Sequence, residues 1–132
     1  MVTVALYEQE GIDRGPVGYW AEPHLMLEPH LDTGPVLVTA AYRVPARNRR
    51  AFVAAMEAVR RARLRTGATR WVLFRDGEDP EQYVEVFVVP TWEEHLRQHE
   101  LGGGDVAADE RAVELAEGPP RVTHLLPPDS SD

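Results

Sequence analysis

The sequence contains no cysteine and no lysine, and its only serines, Ser130 and Ser131, stand in the last three residues. Without cysteine there are no disulfides, no thiolate nucleophile and no cysteine-ligated metal or iron–sulfur cluster. Without lysine there is no Schiff-base chemistry and no phosphate loop of the lysine-containing type. A serine nucleophile is nearly excluded as well, because the tail "PPDSSD" is predicted to be disordered. Any catalysis must therefore use His, Asp, Glu, Tyr, Trp, Arg or a bound cofactor.

Asparagine and isoleucine are almost absent too. They occur once each, at Asn48 and Ile12, and all 14 basic residues other than histidine are arginine. Because lysine, asparagine and isoleucine have A/T-rich codons, this bias predicts a bacterial gene from a GC-rich genome.

Long apolar runs are also missing. No stretch approaches the roughly 18 apolar residues of a membrane helix, and the start "MVTVALYEQE" lacks the basic region of a signal peptide. We therefore expect a cytoplasmic protein without direct membrane insertion. The net charge of −8 disfavours attraction to nucleic acid or anionic lipid, so neither is an expected partner.

Length and composition fit one globular domain. With 132 residues, 43% of them hydrophobic and 27% charged, the chain can bury one core but not two. Residues 1–34 are interrupted by Gly and Pro, which predicts an irregular N-terminal arm. Residues 35–127 carry the periodic patterns of the domain, and residues 128–132 form the disordered tail.

The domain alternates strand and helix patterns. "PVLVTAAYRV" predicts a first strand, and Pro45 opens a helix predicted to reach about Thr66, with Gly67 following its end. "ATRWVLFRD" and "QYVEVFVVP" predict a hairpin joined by "GEDPE". A second helical region begins at Trp92, is interrupted by "LGGGD" and resumes after Asp105. "RVTHLL" is the last strand. The order β-α-β-β-α-β predicts an α+β, ferredoxin-like fold.

The helical patterns also predict which side chains face water. The inward stripe of the first helix is Phe52, Ala55, Met56 and Val59. Its last turns carry Arg60, Arg61, Arg63 and Arg65, whose charges suit the helix dipole. On the second helix, Gln98 is assigned to the polar side.

Both faces of the predicted sheet are apolar. On one strand Trp71 and Leu73 share a face, while Val72 and Phe74 share the other. The next strand alternates in the same way, with Tyr83, Glu85 and Phe87 opposite Val84, Val86 and Val88. A chain of this length has helices for one face only, so a second copy is the expected cover for the other. We predict a homodimer.

"TWEEHLRQHE", residues 91–100, contains two histidines four positions apart. At helical spacing one stripe of this helix is Trp92, His95, Leu96 and His99. Both imidazoles are therefore expected to point toward the sheet or a cleft beside it. Trp92, His95 and His99 are the candidate catalytic residues.

Four roles are open for His95 and His99. They are metal ligands if a third ligand comes from Glu85, His124 or the arm, although the glutamate of the zinc motif His-Glu-x-x-His is missing. Either can act as general acid or base at neutral pH, or line a ligand pocket without chemistry. The favoured role is structural, as hydrogen-bonded histidines at a helix–sheet or subunit contact. We expect neither a resident metal nor a cofactor.

Polar and aromatic residues on the strands are further candidates. Glu85 interrupts an apolar strand, and a buried carboxylate needs a partner such as Arg75 or Arg70. A structural ion pair is favoured over a catalytic base. Strand aromatics are predicted to be mainly core, yet they can stack against a planar aromatic ligand in a cleft. The predicted pocket set is Tyr42, Trp71, Arg75, Tyr83 and Glu85.

Several segments together resemble a known family. "GPVLVTAAYRVP", "RLRTGATRWVLFRDGEDPEQYVEVFVV", "TWEEHLRQHE" and "GPPRVTHLL" are similar to the C-terminal cytoplasmic domain of the transmembrane secretion effector group of the major facilitator superfamily, the enterobactin-exporter-like permeases. The resemblance covers roughly residues 34–127, and "YWAEPHLMLEP" resembles the tether to the last membrane helix. It implies a detached module that cannot transport by itself, with a permease as possible partner.

The module also resembles, more distantly, the antibiotic biosynthesis monooxygenases. That resemblance implies a dimeric α/β barrel with a cleft between sheet and helices. Some members oxygenate aromatic polyketides or quinols without metal or flavin, and they carry a tryptophan ahead of a histidine on the second helix. Trp92 and His99 match this pattern, whereas the cleft asparagine of the family has no counterpart, since Asn48 begins the first helix. A non-enzymatic binding module and a cofactor-independent oxygenase both remain open.

Overall fold

The computed structural model describes residues 25–100 and 105–129. The elements in chain order are strand β1 (Val36–Arg43), a 3-10 turn (Ala46–Asn48), helix α1 (Arg49–Arg65), strands β2 (Arg70–Arg75) and β3 (Gln82–Val89), helices α2 (Trp92–Glu100) and α3 (Val106–Leu115), and strand β4 (Arg121–Leu125). Each predicted element is found within a few residues of its predicted bounds. Most of the predicted arm, residues 1–24, and residues 130–132 of the tail lie outside the described residues.

The four strands form one antiparallel sheet in the order β2-β3-β1-β4. The central strands β1 and β3 pair along their whole length, from Val36 opposite Val89 to Arg43 opposite Gln82. Helix α1 connects β1 to β2, and α2 with α3 connects β3 to β4. In the sheet, the strands of the first half (β1 and β2) therefore alternate with those of the second half (β3 and β4). The predicted α+β class and the ferredoxin-like order of elements are confirmed.

Helix α1 is held on the sheet by its apolar stripe. Phe52, Met56 and Val59 are fully buried at the spacing i, i+4, i+7. The helix ends at Arg65, and Gly67 follows with a φ of +133°, a backbone conformation that side chains with a Cβ rarely adopt. Both features agree with the prediction.

The two later helices begin with side-chain caps. Thr91 Oγ1 accepts from the Glu94 N–H at 3.1 Å, and the Asp105 carboxylate accepts from the Ala108 N–H at 3.0 Å. A complete capping box would also need the Glu94 carboxylate to accept from the Thr91 N–H, but that carboxylate instead binds Arg97 at 2.6 Å.

The core between sheet and helices consists of two apolar clusters. In β1 and β3 every second side chain is buried, and these residues supply the sheet side of both clusters. The first cluster packs them against α1 and α3 around Phe52, and the second packs their other ends around Phe87 and Trp92. Full burial of such side chains contributes about 1.5–3 kcal/mol each. Between the clusters, β3 places Glu85, which is buried.

The opposite face of the sheet has no covering helix among the described residues, yet its side chains are apolar. It carries Leu37, Val72, Phe74, Val84, Val86 and Val88, of which Phe74 is 53% exposed. The predicted two-sided apolar character of the sheet is therefore observed. What covers this open face stays a prediction.

Candidate functional site

A buried ion pair lies between the two apolar clusters. The Arg63 guanidinium on α1 donates from Nε to Glu85 Oε2 on β3 at 2.9 Å, and the two side chains are 1% and 0% exposed. Nη2 of Arg63 donates to Asp109 Oδ1 on α3 at 3.0 Å. The Trp71 indole N–H on β2 donates to Glu85 Oε2 at 2.9 Å. These four side chains, called the polar layer below, join α1, α3, β2 and β3.

The partner of Glu85 differs from the predicted one. Arg75 instead donates to the Pro80 carbonyl at 2.9 Å, and Arg70 is exposed. Arg63, whose charge was expected only to suit the dipole at the end of its helix, is buried. Because the last turns of α1 pass over β3, the Arg63 guanidinium reaches the buried Glu85 carboxylate rather than water.

The polar layer has two carboxylates for one guanidinium. Burial raises the pKa of Asp109, and attraction to Arg63 opposes that rise only in part. Burial and the negative charge of Glu85 also raise the pKa of Tyr42 well above that of an ordinary tyrosine. Among the described residues, the layer therefore holds no positive charge in excess.

A second polar contact joins α2 to β4. His95 Nε2 lies 3.1 Å from His124 Nε2, so one imidazole donates and the other accepts. The Trp92 ring packs against both imidazoles, with centroid distances of 5.4 Å and 6.0 Å. Burial, followed by the charges of His124 and His99, lowers the pKa of His95 to about 3. Burial and the charge of His99 lower the pKa of His124 to about 4, so both rings are neutral at pH 7.

Of the two histidines on α2, His95 is the one that contacts another histidine. His95 contacts His124, while His99, one turn further along α2, is half-buried. Within residues 25–100 and 105–129, no group of three or more His, Asp or Glu side chains is arranged to hold a metal ion. The contact that forms is of the helix–sheet kind favoured for these residues, although their functional role stays a prediction.

The buried stripe of α2 is rotated relative to the prediction. Its buried side chains are Trp92, His95 and Gln98. The assignment of Gln98 to the polar side is wrong, because its amide donates to the Arg63 carbonyl at 3.3 Å and to Thr66 Oγ1 at 3.2 Å. Two acceptors at the end of α1 therefore hold this side chain inward.

The predicted pocket residues fall into two groups. Trp71 and Glu85 belong to the polar layer, whereas Tyr42 and Tyr83 lie opposite each other and pack as core aromatics. The Tyr83 hydroxyl is buried without a hydrogen-bond partner among the described residues, and the Arg75 guanidinium lies 5.8 Å from its ring centre. Trp71 is half-buried and Arg75 is exposed, so the predicted pocket residues reach solvent along strand β2.

Sequence reasoning missed Arg63 and Asp109, although a signal for each was present. Arg63 stands four residues after the buried Val59 and so continues the inward stripe of α1. Asp109 stands three residues before the buried Ala112 on α3. In both cases the position on the helix, rather than the residue type, indicated burial.

None of the helices in the described part of the chain combines the length and the apolar composition that crossing a bilayer requires.

Solved structures show what this fold is similar to. A Bordetella bronchiseptica protein described as a candidate antibiotic biosynthesis monooxygenase aligns over 70% of this chain and 95% of its own, with 24% identity and a TM-score of 0.60. Rv0793 from Mycobacterium tuberculosis aligns over 75% of this chain and 100% of its own, with 22% identity and a TM-score of 0.60. SnoaB, a cofactor-independent oxygenase from Streptomyces nogalater, aligns over 74% and 95%, with 16% identity and a TM-score of 0.55. At these identities the likeness concerns the fold.

Sequence comparison gives the family. Among curated proteins, none matches this chain. The model of the transmembrane secretion effector family matches residues 1–131, nearly the whole sequence. The chain therefore belongs to the transmembrane secretion effector family.

Proposed function

We propose that this chain is a cytoplasmic, homodimeric module of its family that binds a partner or a small ligand and neither transports solute nor catalyses a reaction by itself. The resemblance to a permease domain makes a permease the first partner to consider. The observation that carries the proposal is that the buried carboxylate of Glu85 and the buried imidazole of His95 are hydrogen-bonded to other side chains of the same chain. Glu85 is bound by Arg63 and Trp71, and His95 is bound by His124.

Electrostatics support a binding role over oxygenation. Oxygenation without a cofactor proceeds through a substrate enolate or phenolate, which the protein must stabilise with positive charge or hydrogen-bond donors. In the polar layer the Arg63 guanidinium already faces two carboxylates, Glu85 and Asp109. A further anion next to this layer would be repelled rather than stabilised.

The ligand site we propose runs along the helix side of strand β2. Trp71 offers a half-buried indole face, and Arg75 extends from the far end of the same strand. On the neighbouring strand β3, opposite Arg75, the buried Tyr83 hydroxyl is a donor that a ligand oxygen can satisfy. With Tyr42 and Glu85 behind them, these groups suit a small planar aromatic ligand with an uncharged oxygen acceptor.

The dimer is supported by the open face of the sheet. Six apolar side chains from three strands lie on a face that no described helix covers. A contiguous apolar face that no helix covers is typical of an interface. The opposite face is covered by α1, α2 and α3. If the open faces of two copies pack against each other, the dimer has four layers, with the two sheets between the two sets of helices.

A cofactor-independent oxygenase is the second candidate. SnoaB, with a similar fold, is described as such an enzyme. The observation in its favour is the position of His99, which is half-buried on the same helix as Trp92, and therefore more accessible to a substrate than His95.

Oxygen consumption separates the two candidates. We expect an anthrone or a quinol to produce no O₂ uptake above the rate in buffer. Uptake that depends on the protein and is lost in His99→Ala would overturn the binding proposal in favour of the oxygenase. The matched control is His30→Ala, since His30 is exposed and lies outside the described helices.

Binding is tested with the same compounds. We expect the quinol to change tryptophan fluorescence in the unmodified chain, and the change to be much smaller in Trp71→Phe. Fluorescence that responds equally in Trp71→Phe would place the ligand away from strand β2.

A further inference from the structure

The first turn of α2 is capped by the backbone of the chain segment that precedes the sheet. The first N–H groups of a helix have no acceptor within the helix. Here the Trp92 N–H donates to the Thr33 carbonyl at 2.7 Å, and the Glu93 N–H donates to the Leu31 carbonyl at 2.9 Å. The next N–H, that of Glu94, donates to Thr91 Oγ1. Two of the three caps therefore come from residues 30–34, called the strap below.

The strap is itself a closed turn packed tightly against the start of α2. The His30 N–H donates to Thr33 Oγ1 at 2.9 Å, and the Thr33 N–H donates to the His30 carbonyl at 3.0 Å. Thr33 is buried. Gly34 lies so close to the β3–α2 junction that a Cβ at this position would stand 1.8 Å from the Pro90 carbonyl oxygen. Only glycine permits this approach.

Helix α2 depends on such support more than α1 does. It has nine residues, and helices this short are marginal in water without external contacts. Of its three buried side chains, His95 and Gln98 are polar, so its apolar packing comes from Trp92 and the partly buried Leu96 alone. By contrast, α1 has 17 residues and a continuous apolar stripe.

We propose that the strap couples the position of the N-terminal arm to the folding of α2. While the strap is docked, α2 is ordered and His95 reaches His124. When a partner draws the arm away from the β3–α2 junction, the first turn of α2 loses two caps and the helix frays, which opens the His95–His124 contact. The coupling holds for a binding module and for an enzyme alike, because Trp92, His95 and His99 lie on this helix in either case.

Two glycine substitutions test the coupling by amide hydrogen exchange. Gly34→Ala forces the strap off the junction, whereas Gly77→Ala is the matched control, since a Cβ at Gly77 meets nothing within 4 Å. We expect amide exchange in α2 to become at least tenfold faster in Gly34→Ala, with β1 and β3 unchanged. In Gly77→Ala we expect no change in any element.

Two results would overturn the proposal. One is unchanged exchange in α2 of Gly34→Ala, which would mean that the strap does not support the helix. The other is equal acceleration in α2, β1 and β3, which would mean that the change destabilises the whole domain without selective coupling.

A milder variant keeps the test decisive if Gly34→Ala fails to fold. Thr33→Val preserves the shape of the side chain and removes the hydroxyl that closes the strap turn. We expect a smaller acceleration, severalfold, confined to α2 and the strap. Together with it, the imidazole NMR signals of His95 and His124 should shift toward those of solvated histidines. Protection of α2 equal to that of the unmodified chain would count against the coupling.

Discussion

At the scale of single residues, the two carboxylates that contact Arg63 have different roles. Glu85, at the centre of the sheet, accepts hydrogen bonds from Arg63 Nε and from the Trp71 indole N–H. Asp109 accepts a hydrogen bond from Arg63 Nη2, and burial raises the pKa of its carboxyl group. Since one cation cannot neutralise two carboxylates, Glu85 is the main counter-ion and Asp109 acts chiefly as a hydrogen-bond acceptor.

Amide substitutions distinguish the two carboxylates. In Glu85→Gln the buried guanidinium loses its main counter-ion, so we expect the free energy of unfolding at neutral pH to fall by about 2–4 kcal/mol. Asp109→Asn keeps an acceptor oxygen and removes a surplus charge, so we expect a change within about 1 kcal/mol. Urea unfolding measures both. A larger loss in Asp109→Asn than in Glu85→Gln would reverse the assignment.

The histidine pair makes stability depend on pH. Folding lowers the pKa of His95 to about 3 and that of His124 to about 4, from 6.5 in the unfolded chain. The unfolded chain therefore binds more protons between these values, so this contribution is complete above about pH 6.5 and declines as the pH falls toward 4. As the pH falls from 7 to 5, each imidazole should lower the free energy of unfolding by about 2 kcal/mol.

The control for this pH dependence is the double substitution His95→Gln with His124→Gln. Its unfolding free energy should change much less between pH 7 and pH 5 than that of the unmodified chain. Asp109 acts in the opposite sense, because its raised pKa adds stability as the pH falls. An equal pH slope in both proteins would show that other groups dominate.

At the scale of elements, local patterns predicted the fold well. Alternation identified the strands, Thr91 and Asp105 marked helix starts, and Gly67 marked a helix end. Each of these signals acts within a few residues of sequence. The candidate site was predicted less well because its contacts join distant elements. Which arginine meets Glu85 depends on where α1 crosses the sheet, and no local pattern contains that information.

Helix α2 shows the same limit within one element. A period of 3.6 residues allows either position 98 or position 99 to follow His95 on the inward side. The spacing favoured His99, but the structure buries Gln98, whose amide finds acceptors at the end of α1. The rotation of a nine-residue helix is thus set by a tertiary hydrogen bond rather than by its own pattern.

A substitution at position 98 tests this account of α2. Gln98→Leu keeps the side chain's size and removes its hydrogen bonds to Arg63 and Thr66, so we expect a loss of about 1–2 kcal/mol in unfolding free energy. Arg97→Leu, on the exposed side of the same helix, should change it by about 0.5 kcal/mol or less. Equal effects of the two substitutions would argue that Gln98 has no anchoring role.

At the scale of the whole molecule, the sheet has one filled face and one open face. Val86 lies near the middle of the open face, opposite Thr39 on β1 and Val72 on β2. Leaving such a face in water would forgo the free energy that burial of its apolar side chains provides. It would also leave an apolar surface prone to non-specific association. Pairing with a second copy removes both penalties, which is why the predicted homodimer is central to the proposed module.

A charge on the open face tests the dimer. We expect the unmodified chain to sediment as a dimer and Val86→Asp as a monomer, because a carboxylate buried at the centre of the interface has no counter-ion there. Val53→Asp is the matched control: Val53 is 47% exposed on the outer side of α1, so this variant should remain dimeric. Circular dichroism should show the same secondary structure in all three proteins. If the unmodified chain sedimented as a folded monomer across the micromolar range, the open face would not be a homodimer interface. It would then be available to a different partner, and the permease domain would become the first candidate to cover it.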